Sequence, residues 1–389
     1  KKLPQFTGRY RGGGTSFAFE PVFLAQYSNF DTDENRVTGQ RSYIEGGVRY
    51  PMLWPYGFLT PEVKYRQLNY ELSDLNDASA FITDDDPSTG TAVANLDGGL
   101  FFERQTEISG RSMLQTLEPR IYYLYSQYEE QTDQPDFDSA ELTFSYNQLF
   151  RDTRFSGGDR LDDANQISIG LTTRFIDNQE GRNLLTASIG QIYYFRDRKV
   201  RLLPTSEPLD DDGSEIATEI NFTPNDKLWV RNSLVYDPYD GKMNSGNVNA
   251  TYSADHGGVF SLGYSYRRPV TTITSELNRR STAEAHISGY LPIGNNWAAF
   301  AGMNYSTEEN QSVEDMFGVE YDTCCWTVRL LHLRYYNNES GNVPDFDDPN
   351  LEREKTTQFQ FVLKGMGGFG NRITDVMKDM IRGYQERDY

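Results

Sequence analysis

The chain has 389 residues, of which 37% are hydrophobic and 14% aromatic, and a net charge of −20. It contains no apolar run of about 18 residues, which excludes helical membrane spans but leaves open the weaker, alternating signature of transmembrane strands. The acid excess argues against nucleic acid as a partner, because no basic stripe is present to neutralise a phosphate backbone.

The first residues, KKLPQF, lack the apolar core and small-residue cleavage site of a signal peptide, so an exported protein would have lost its signal before this point. The first readable strand is Thr15 to Tyr27, with Pro21 marking a bulge or weakened pairing. Gln40 to Tyr50 and Phe58 to Tyr70 flank the proline-rich PMLWPYG turn. The acidic, turn-rich stretch Asp74 to Gly90 reads as a long loop. Ala92 to Arg104, Leu114 to Tyr128 and Glu141 to Leu149 read as strands, and LFRDTRFSGGDRLDDAN as a charged loop.

From Gln166 the alternation is clean. Ile167, Ile169, Leu171, Thr173 and Phe175 share one face, and Leu185 to Arg196 answers this strand. Asp197 to Glu215 is a long acidic loop, and Ile216 to Phe222 with Leu228 to Tyr236 form a hairpin. The remaining strands are Val248 to Tyr252, Val259 to Arg267, Ala283 to Leu291, Asn296 to Tyr305, Val313 to Tyr321, Cys325 to Tyr336 and Thr357 to Leu363. About 18 strands are expected. Short connections such as TPND and SADHGG alternate with long ones such as Pro269 to Arg280 and Asn337 to Lys355, although this parity is lost upstream of Gln166. The tail, Asn371 to Tyr389, spaces Ile373, Val376, Met377, Met380, Ile381 and Tyr384 at intervals of three and four, which predicts a short amphipathic helix that plugs or caps the sheet or docks a partner.

A soluble sandwich would also alternate, but its solvated face should be rich in lysine. Here the polar faces carry Ser, Thr, Gln, Gly and Tyr, with isolated Arg and Glu. Tyr and Trp near strand ends, including Trp54, Trp229, Tyr236, Trp297, Tyr305, Tyr321, Trp326, Tyr335 and Tyr336, suit interfacial girdles. Since a bilayer demands that every backbone group be paired, an all-β, antiparallel transmembrane barrel is the expected fold.

Candidate chemistry is sparse. No GxSxG or HExxH motif is present, and the histidines are His256 in a turn, His286 beside Ser288 on a polar strand face, and His332. A lumenal hydrogen-bonding role for His286 outweighs a hydrolytic one. The acidic clusters Asp84 to Asp86 and Asp210 to Asp212 lack calcium-loop spacing and read as solvated loop charge, so neither metal nor cofactor is expected. Cys324 and Cys325, the two cysteines of the chain, sit where a strand begins, so that Cys324 shares a face with Trp326 and Cys325 with Thr327. Adjacent Cβ atoms in a strand do not converge for a disulfide, which places any partners outside this sequence, in an N-terminal part or another chain. Two unpaired buried thiols are the alternative.

Several motifs occur in order: LFFERQ (100–105), QTLEPRIYYLY (115–125), LFRDTRFSGGDR (149–160), ANQISIGLTTRF (164–175), ASIGQIYYF (187–195) and GVEYDTCCW (318–326). From about Thr15 to Gly370 the chain resembles the LptD family of lipopolysaccharide-assembly proteins of Gram-negative outer membranes. The resemblance implies a soluble jellyroll domain followed by a barrel of about 26 strands, plugged by an LptE-type lipoprotein and joined through the jellyroll to a periplasmic lipopolysaccharide bridge. Function there is non-enzymatic: lipopolysaccharide enters the barrel and leaves laterally, between the first and last strands, into the outer leaflet. Residues 1–370 would be the partial barrel, without jellyroll or first strands, and residues 371–389 a periplasmic tail. The resemblance assigns Cys324 and Cys325 to two disulfides with cysteines near the start of the mature protein, and Thr357, Phe359, Phe361 and Leu363 to the strand beside the lateral exit. By strand parity, Glu118, Arg120, Arg174, Arg267, Arg329 and Lys364 are candidates to line the lumen. A passive porin or receptor barrel, and an outer-membrane lipid hydrolase, are the competing readings.

Overall fold

In a computed structural model the chain is described except for residues 1, 15, 33–35, 76–80, 207, 269–280, 337–350, 366, 371 and 387–389. Much of the long stretches 269–280 and 337–355 therefore lies outside the described residues. Internal contacts divide the chain into two units, Lys1–Arg174 with Ser188–Thr218, and Phe175–Ala187 with Glu219–Tyr389.

The first unit holds β1 (Lys2–Arg11), β2 (Glu20–Phe30), β3 (Thr38–Arg49), β4 (Met52–Trp54), β5 (Gly57–Ser73), β6 (Ser88–Leu100), β7 (Phe102–Ile108), β8 (Arg111–Ser126) and the two-residue strands β9 (Ala140–Glu141) and β10 (Phe155–Ser156). The strands β11 (Ala164–Asp177), β12 (Asn183–Tyr194) and β13 (Ile216–Asn225) have residues in both units. The second unit contains β14 (Leu228–Asp237), β15 (Lys242–Ser253), β16 (Val259–Arg267), β17 (Thr282–Ile293), β18 (Trp297–Ser306), β19 (Gln311–Asp322), β20 (Trp326–Tyr336), β21 (Arg353–Leu363), β22 (Gly367–Gly370) and the helix α1 (Ile373–Met380).

All resolved ladders are antiparallel between chain neighbours, as in an up-and-down barrel wall. Twenty segments form one sheet. Pro51, which cannot donate to a ladder, separates β3 from β4, and both pair with β5. Likewise β6 and β7 are interrupted only at Phe101 and both pair with β8. Taking each interrupted pair as one strand gives eighteen among the described residues, but not the expected set: β1 and β22 are added and Glu141 to Leu149 is lost, and that missed first strand and false later one account for the lost parity upstream of Gln166. No pairing among the described residues closes the sheet into a ring, so the structure supports a large antiparallel sheet with barrel-like pairing and not a complete barrel.

Two expected elements differ. Glu141 to Leu149 is not a strand: after β9 the chain turns into a 3-10 helix at Tyr146–Phe150, because Leu149 is fully buried and Phe150 packs on Tyr122 at 6.5 Å. Cys324 and Cys325 lie in the tight turn between β19 and β20, exposed, and not in a strand, so their expected assignment to opposite sheet faces does not apply. The strand β1 was not legible, since KLPQFTGRYR interrupts any alternation with Pro4 and Gly8.

The polarity of the sheet is inverted relative to a soluble one. On β16, Phe260, Leu262 and Tyr264 are 45%, 58% and 43% exposed, whereas Ser261 is 1% exposed. The same holds on β17, where Ile287 and Leu291 face out while Ser288 and Tyr290 are buried. An apolar outer band over a polar inner face is stable against lipid and costly against water. At the tight-turn ends, Trp297, Tyr321, Trp326 and Phe361 form a continuous ring ladder with centroid spacings of 4.9, 5.3 and 6.2 Å. From Trp297 to Tyr305 a strand rises about 26 Å at ~3.3 Å per residue, or about 20 Å along the membrane normal at a tilt of about 40°, against an apolar band of about 25 Å in outer-membrane walls.

Candidate functional site

The polar inner face of the first unit is occupied by the connection from β8 to β11. Arg41 of β3 and Tyr70 of β5 stand opposite one another in register. Both reach Asp159 of the connection: the Arg41 guanidinium lies 2.5 Å from Asp159 Oδ1, and the Tyr70 hydroxyl donates to the same oxygen at 2.9 Å. The backbone N–H groups of Phe137 and Asp138 donate to Asp159 Oδ2 at 3.0 and 2.8 Å, so this fully buried carboxylate is fully satisfied. Arg41 also pairs with Asp138 at 2.6 Å.

A second cluster lies along the same strands. Arg66 bridges Glu45 and Asp152, each at 2.7 Å, and Lys64 also pairs with Asp152. Burial alone would raise the Asp152 carboxyl, but the charges of Arg66 and Lys64 more than offset it and hold the group down at about 2. Arg154 clasps Asp162 at 2.7 Å. The LFRDTRFSGGDR stretch, expected as a charged loop, is therefore folded along the inner face by these ion pairs.

Of the residues assigned by parity, Glu118 and Arg174 form an ion pair on this inner face. Arg120 donates to Asp97 Oδ1 and Oδ2 at 2.8 and 2.7 Å, with its guanidinium 4.0 Å from the Phe150 ring. Arg267 is exposed at the end of β16. Lys364 pairs with Asp322 at 2.9 Å, at the tight-turn ends. Arg329 is only 2% exposed and is committed to structure: it binds Glu320 at 2.6 Å, Gln360 at 3.1 Å, Glu386 at 3.0 Å and the hydroxyl of Thr374.

Those contacts hold the tail. The helix α1 and the residues after it bury Ile373, Met377, Met380, Ile381 and Tyr384 against Tyr290, Phe300, Met316, Leu331 and Leu333. A Cβ at Gly302 would meet Met380 Cγ at 2.5 Å, so glycine there makes room for the tail. The expected amphipathic helix thus caps the inner face of β16 to β21.

His286 and Ser288 are joined as their spacing allows, and Asn304 completes a chain that sequence reasoning missed. With His286 Nδ1 donating to Asn304 Oδ1 at 2.6 Å, Nε2 accepts from Ser288 Oγ at 3.0 Å. This resembles a nucleophile–base–orienter order. It lacks the rest of an acyl-transfer site, however: Ser288 is 4% exposed, Met380 lies against Asn304, and the backbone at Ser288 is engaged in ladders on both sides. Ser288→Ala is expected to leave phospholipid turnover by purified protein at background, the same as wild type, in a fluorogenic lipase assay.

Thr357, Phe359, Phe361 and Leu363, which the resemblance assigns to the strand beside a lateral exit, face outward on β21. This strand is followed by β22, whose GGFG pairs only with residues 360–363. Residues 353–359 have no strand on that side among the described residues. Cys324 and Cys325 are unbonded, with sulfurs 2.9 Å apart, and hydrogen bonding to Cys324 raises the Cys325 thiol. Asp84, Asp85 and Asp86 converge but are fully exposed.

The family model described as LptD, LPS transport system D, matches residues 1–297. The chain is 33% identical to the LPS-assembly protein LptD of Xanthomonas campestris over 90% of its own length and 42% of the relative. It is 33% identical to the same-named proteins of Saccharophagus degradans, over 100% of this chain and 46% of the relative, and of Nitrosococcus oceani, over 99% and 49%. The chain therefore spans less than half the length of these curated relatives. A solved structure of the siderophore receptor PirA from Acinetobacter baumannii aligns over 93% of this chain and 64% of that one, with 10% identity and a TM-score of 0.42, a likeness that carries no argument. On the family match and these relatives, the chain belongs to the LptD family.

Proposed function

We propose that this chain is part of the outer-membrane wall of a lipopolysaccharide exporter. It would pass lipopolysaccharide to the outer leaflet without covalent chemistry, and release it sideways along β21. The observation that carries this reading is the inverted sheet, apolar outside and lined with ion pairs inside, in a chain of this family. The polar interior suits passage of sugars and phosphates, and the apolar exterior suits lipid.

A lateral exit needs a seam whose pairing is weak enough to open, because a separated edge exposes unpaired backbone groups. The half-covered edge of β21 supports that role, as does the composition of β22, since three glycines give a strand little side chain to pack. The tail covers the inner face as far as Asn304 and Leu333, well away from the tight turns, so a periplasmic position for residues 371–389 rests on the resemblance and not on these contacts. The family's relationships supply the expected partners: an LptE-type lipoprotein and an LptA-type bridge, the latter through a domain outside this sequence. The exposed turn leaves Cys324 and Cys325 accessible to cysteines elsewhere in the protein, as the family disulfides require.

Depletion of the full-length protein in its host tests the proposal. Surface lipopolysaccharide should fall while porin levels hold for at least a generation. Unchanged surface lipopolysaccharide, with altered uptake of small solutes instead, would favour the porin reading.

A further inference from the structure

The outward face of the second unit carries a groove of about 770 Å³. Its floor consists of Gly289, Ala299 and Ala301, and Ile287, Phe317 and Leu330 form walls. Register explains the shape. Gly289 stands opposite Ala301, and Ala301 opposite Phe317, so two small residues lie beside a ring. Along β18 the outward row reads Trp297, Ala299, Ala301, Met303, which leaves a trough between larger residues of β17 and β19.

The groove is not purely hydrocarbon. In the row of Phe317 stand His332 and Thr357, with His332 Nδ1 3.1 Å from Thr357 Oγ1 and its ring 5.1 Å from that of Phe317. One row further from the tight turn come Asp315, Arg334 and Lys355, and then Tyr336 with Arg353. Arg334 Nε donates to Asp315 Oδ2 at 2.5 Å, while Arg353 pairs with the other oxygen of the same carboxylate and donates to Ser312 Oγ at 3.2 Å. Two arginines thus bind one carboxylate on an outward face, and Lys355 stands beside Arg334 in register, in a chain whose net charge is −20. The Asp315 side chain is 10% exposed, but that of Arg334 is 40% exposed, so the accessible charge is positive.

Charged side chains on a lipid-facing wall are tolerated near the interface and costly at the midplane, which places this cluster at headgroup level. It lies toward the strand ends that lead into the long connection 337–352, and in outer-membrane walls long connections are extracellular. Arginine forks match phosphate geometry, and clustered basic residues beside a bilayer recognise anionic headgroups. We infer that this surface is a binding site for a phosphorylated, acylated glycolipid of the outer leaflet. One acyl chain lies on the Ala299 and Ala301 floor, and a phosphate meets Arg334, Arg353 and Lys355. The choice of glycolipid rests on the export reading. Because Thr357 of β21 borders the groove, a lipid leaving along that strand first meets phosphate-binding side chains here.

The test is native mass spectrometry of the full-length protein, extracted in mild detergent and incubated with bis-phosphorylated lipid A or with phosphatidylethanolamine. Wild type should retain lipid A in preference to its dephosphorylated form. The double variant Arg334→Gln, Arg353→Gln and the groove-filling variant Ala301→Trp should each lower lipid A retention by at least about fivefold without changing phosphatidylethanolamine retention. Ala301→Trp touches no ion pair, so it decides the matter if the double variant fails to assemble. Unchanged lipid A retention in the folded variants, or equal loss of both lipids, would overturn the site. That failure is distinguishable from failure of the export reading, because retention is measured without transport and depletion measures transport without this site.

Discussion

Arg329→Met should detach the C-terminal tail from the inner face of the sheet. The substitution removes the cationic partner of Glu320, which is 1% exposed and is left with the Tyr290 hydroxyl alone, and it takes one donor each from Gln360 and Thr374, which keep their bonds to each other. Breaking a buried pair by deleting one member costs about 3–5 kcal/mol, since the remaining charge is left in a low-dielectric site. The neighbouring apolar contacts of Met377, Ile381 and Tyr384 oppose release, but they cannot supply a counter-charge. Limited proteolysis of the folded protein should therefore remove residues after 370 from the variant while sparing wild type. Arg329→Lys should be intermediate: it keeps the charge but cannot reproduce the fork that reaches Glu320, Gln360, Thr374 and Glu386 at once. If the variant's tail stays protected, its docking is apolar alone and the ion network is incidental.

The companion experiment is Arg41→Met in the first unit. Here the group left behind is Asp159, 0% exposed, held otherwise by the hydroxyls of Tyr70 and Ser139 and two backbone N–H groups. Those donors partly compensate its charge, yet Asp138 loses one of its two cationic partners in the same step and keeps only Lys2. A loss of about 3–5 kcal/mol is again expected. The readout is protease access to the connection 127–163 and a lower urea midpoint for the protein in detergent. The double variant Arg41→Met, Asp159→Asn should recover part of the loss, because it removes the stranded charge. A single variant as stable as wild type would mean that the connection is held by Leu149, Phe155 and Leu161 and that the ion pairs add nothing.

These two arginines also mark the limit of what the sequence discloses. The alternation on β16, Phe260-Ser261-Leu262-Gly263-Tyr264, specifies both strand and facing, because a one-residue slip would reverse every side chain. The three-and-four spacing from Ile373 to Tyr384 likewise specifies a helix with one buried stripe. Neither pattern says what covers the inner face. Asp159 and Arg41 are separated by 118 positions, and their pairing depends on a connection doubling back over the sheet, which no local periodicity encodes. The GGD turn and the density of charge in LFRDTRFSGGDR were visible, but charge density reads equally well as solvated loop. What distinguishes the two is the interspersed Leu149, Phe155 and Leu161, which a solvated loop would have no reason to bury.

Arg329 illustrates the same ambiguity from the other side. Parity puts it on the inner face, where an arginine reads as lumen lining. The tail that consumes its donors lies 45 to 57 residues downstream. Before β20 a tight turn is legible in Asp322 and Thr323, but its extent over Cys324 and Cys325 is not, because Val, Tyr, Cys and Trp all favour strands. Asn304 joins His286 only through cross-strand register, so the hydrogen-bonded trio became visible with the ladder between β17 and β18.

The claim on which the account rests is that the apolar faces meet lipid while the polar faces enclose ion pairs. Single labels at 260, 261, 262, 263 and 264, placed through cysteine in the full-length protein in vesicles, would be exposed in turn to a lipid-soluble and a water-soluble quencher. The account predicts strong lipid-phase quenching at 260, 262 and 264 and little at 261 and 263. Uniform quenching by the aqueous reagent, or lipid-phase quenching at 261 and 263, would contradict it.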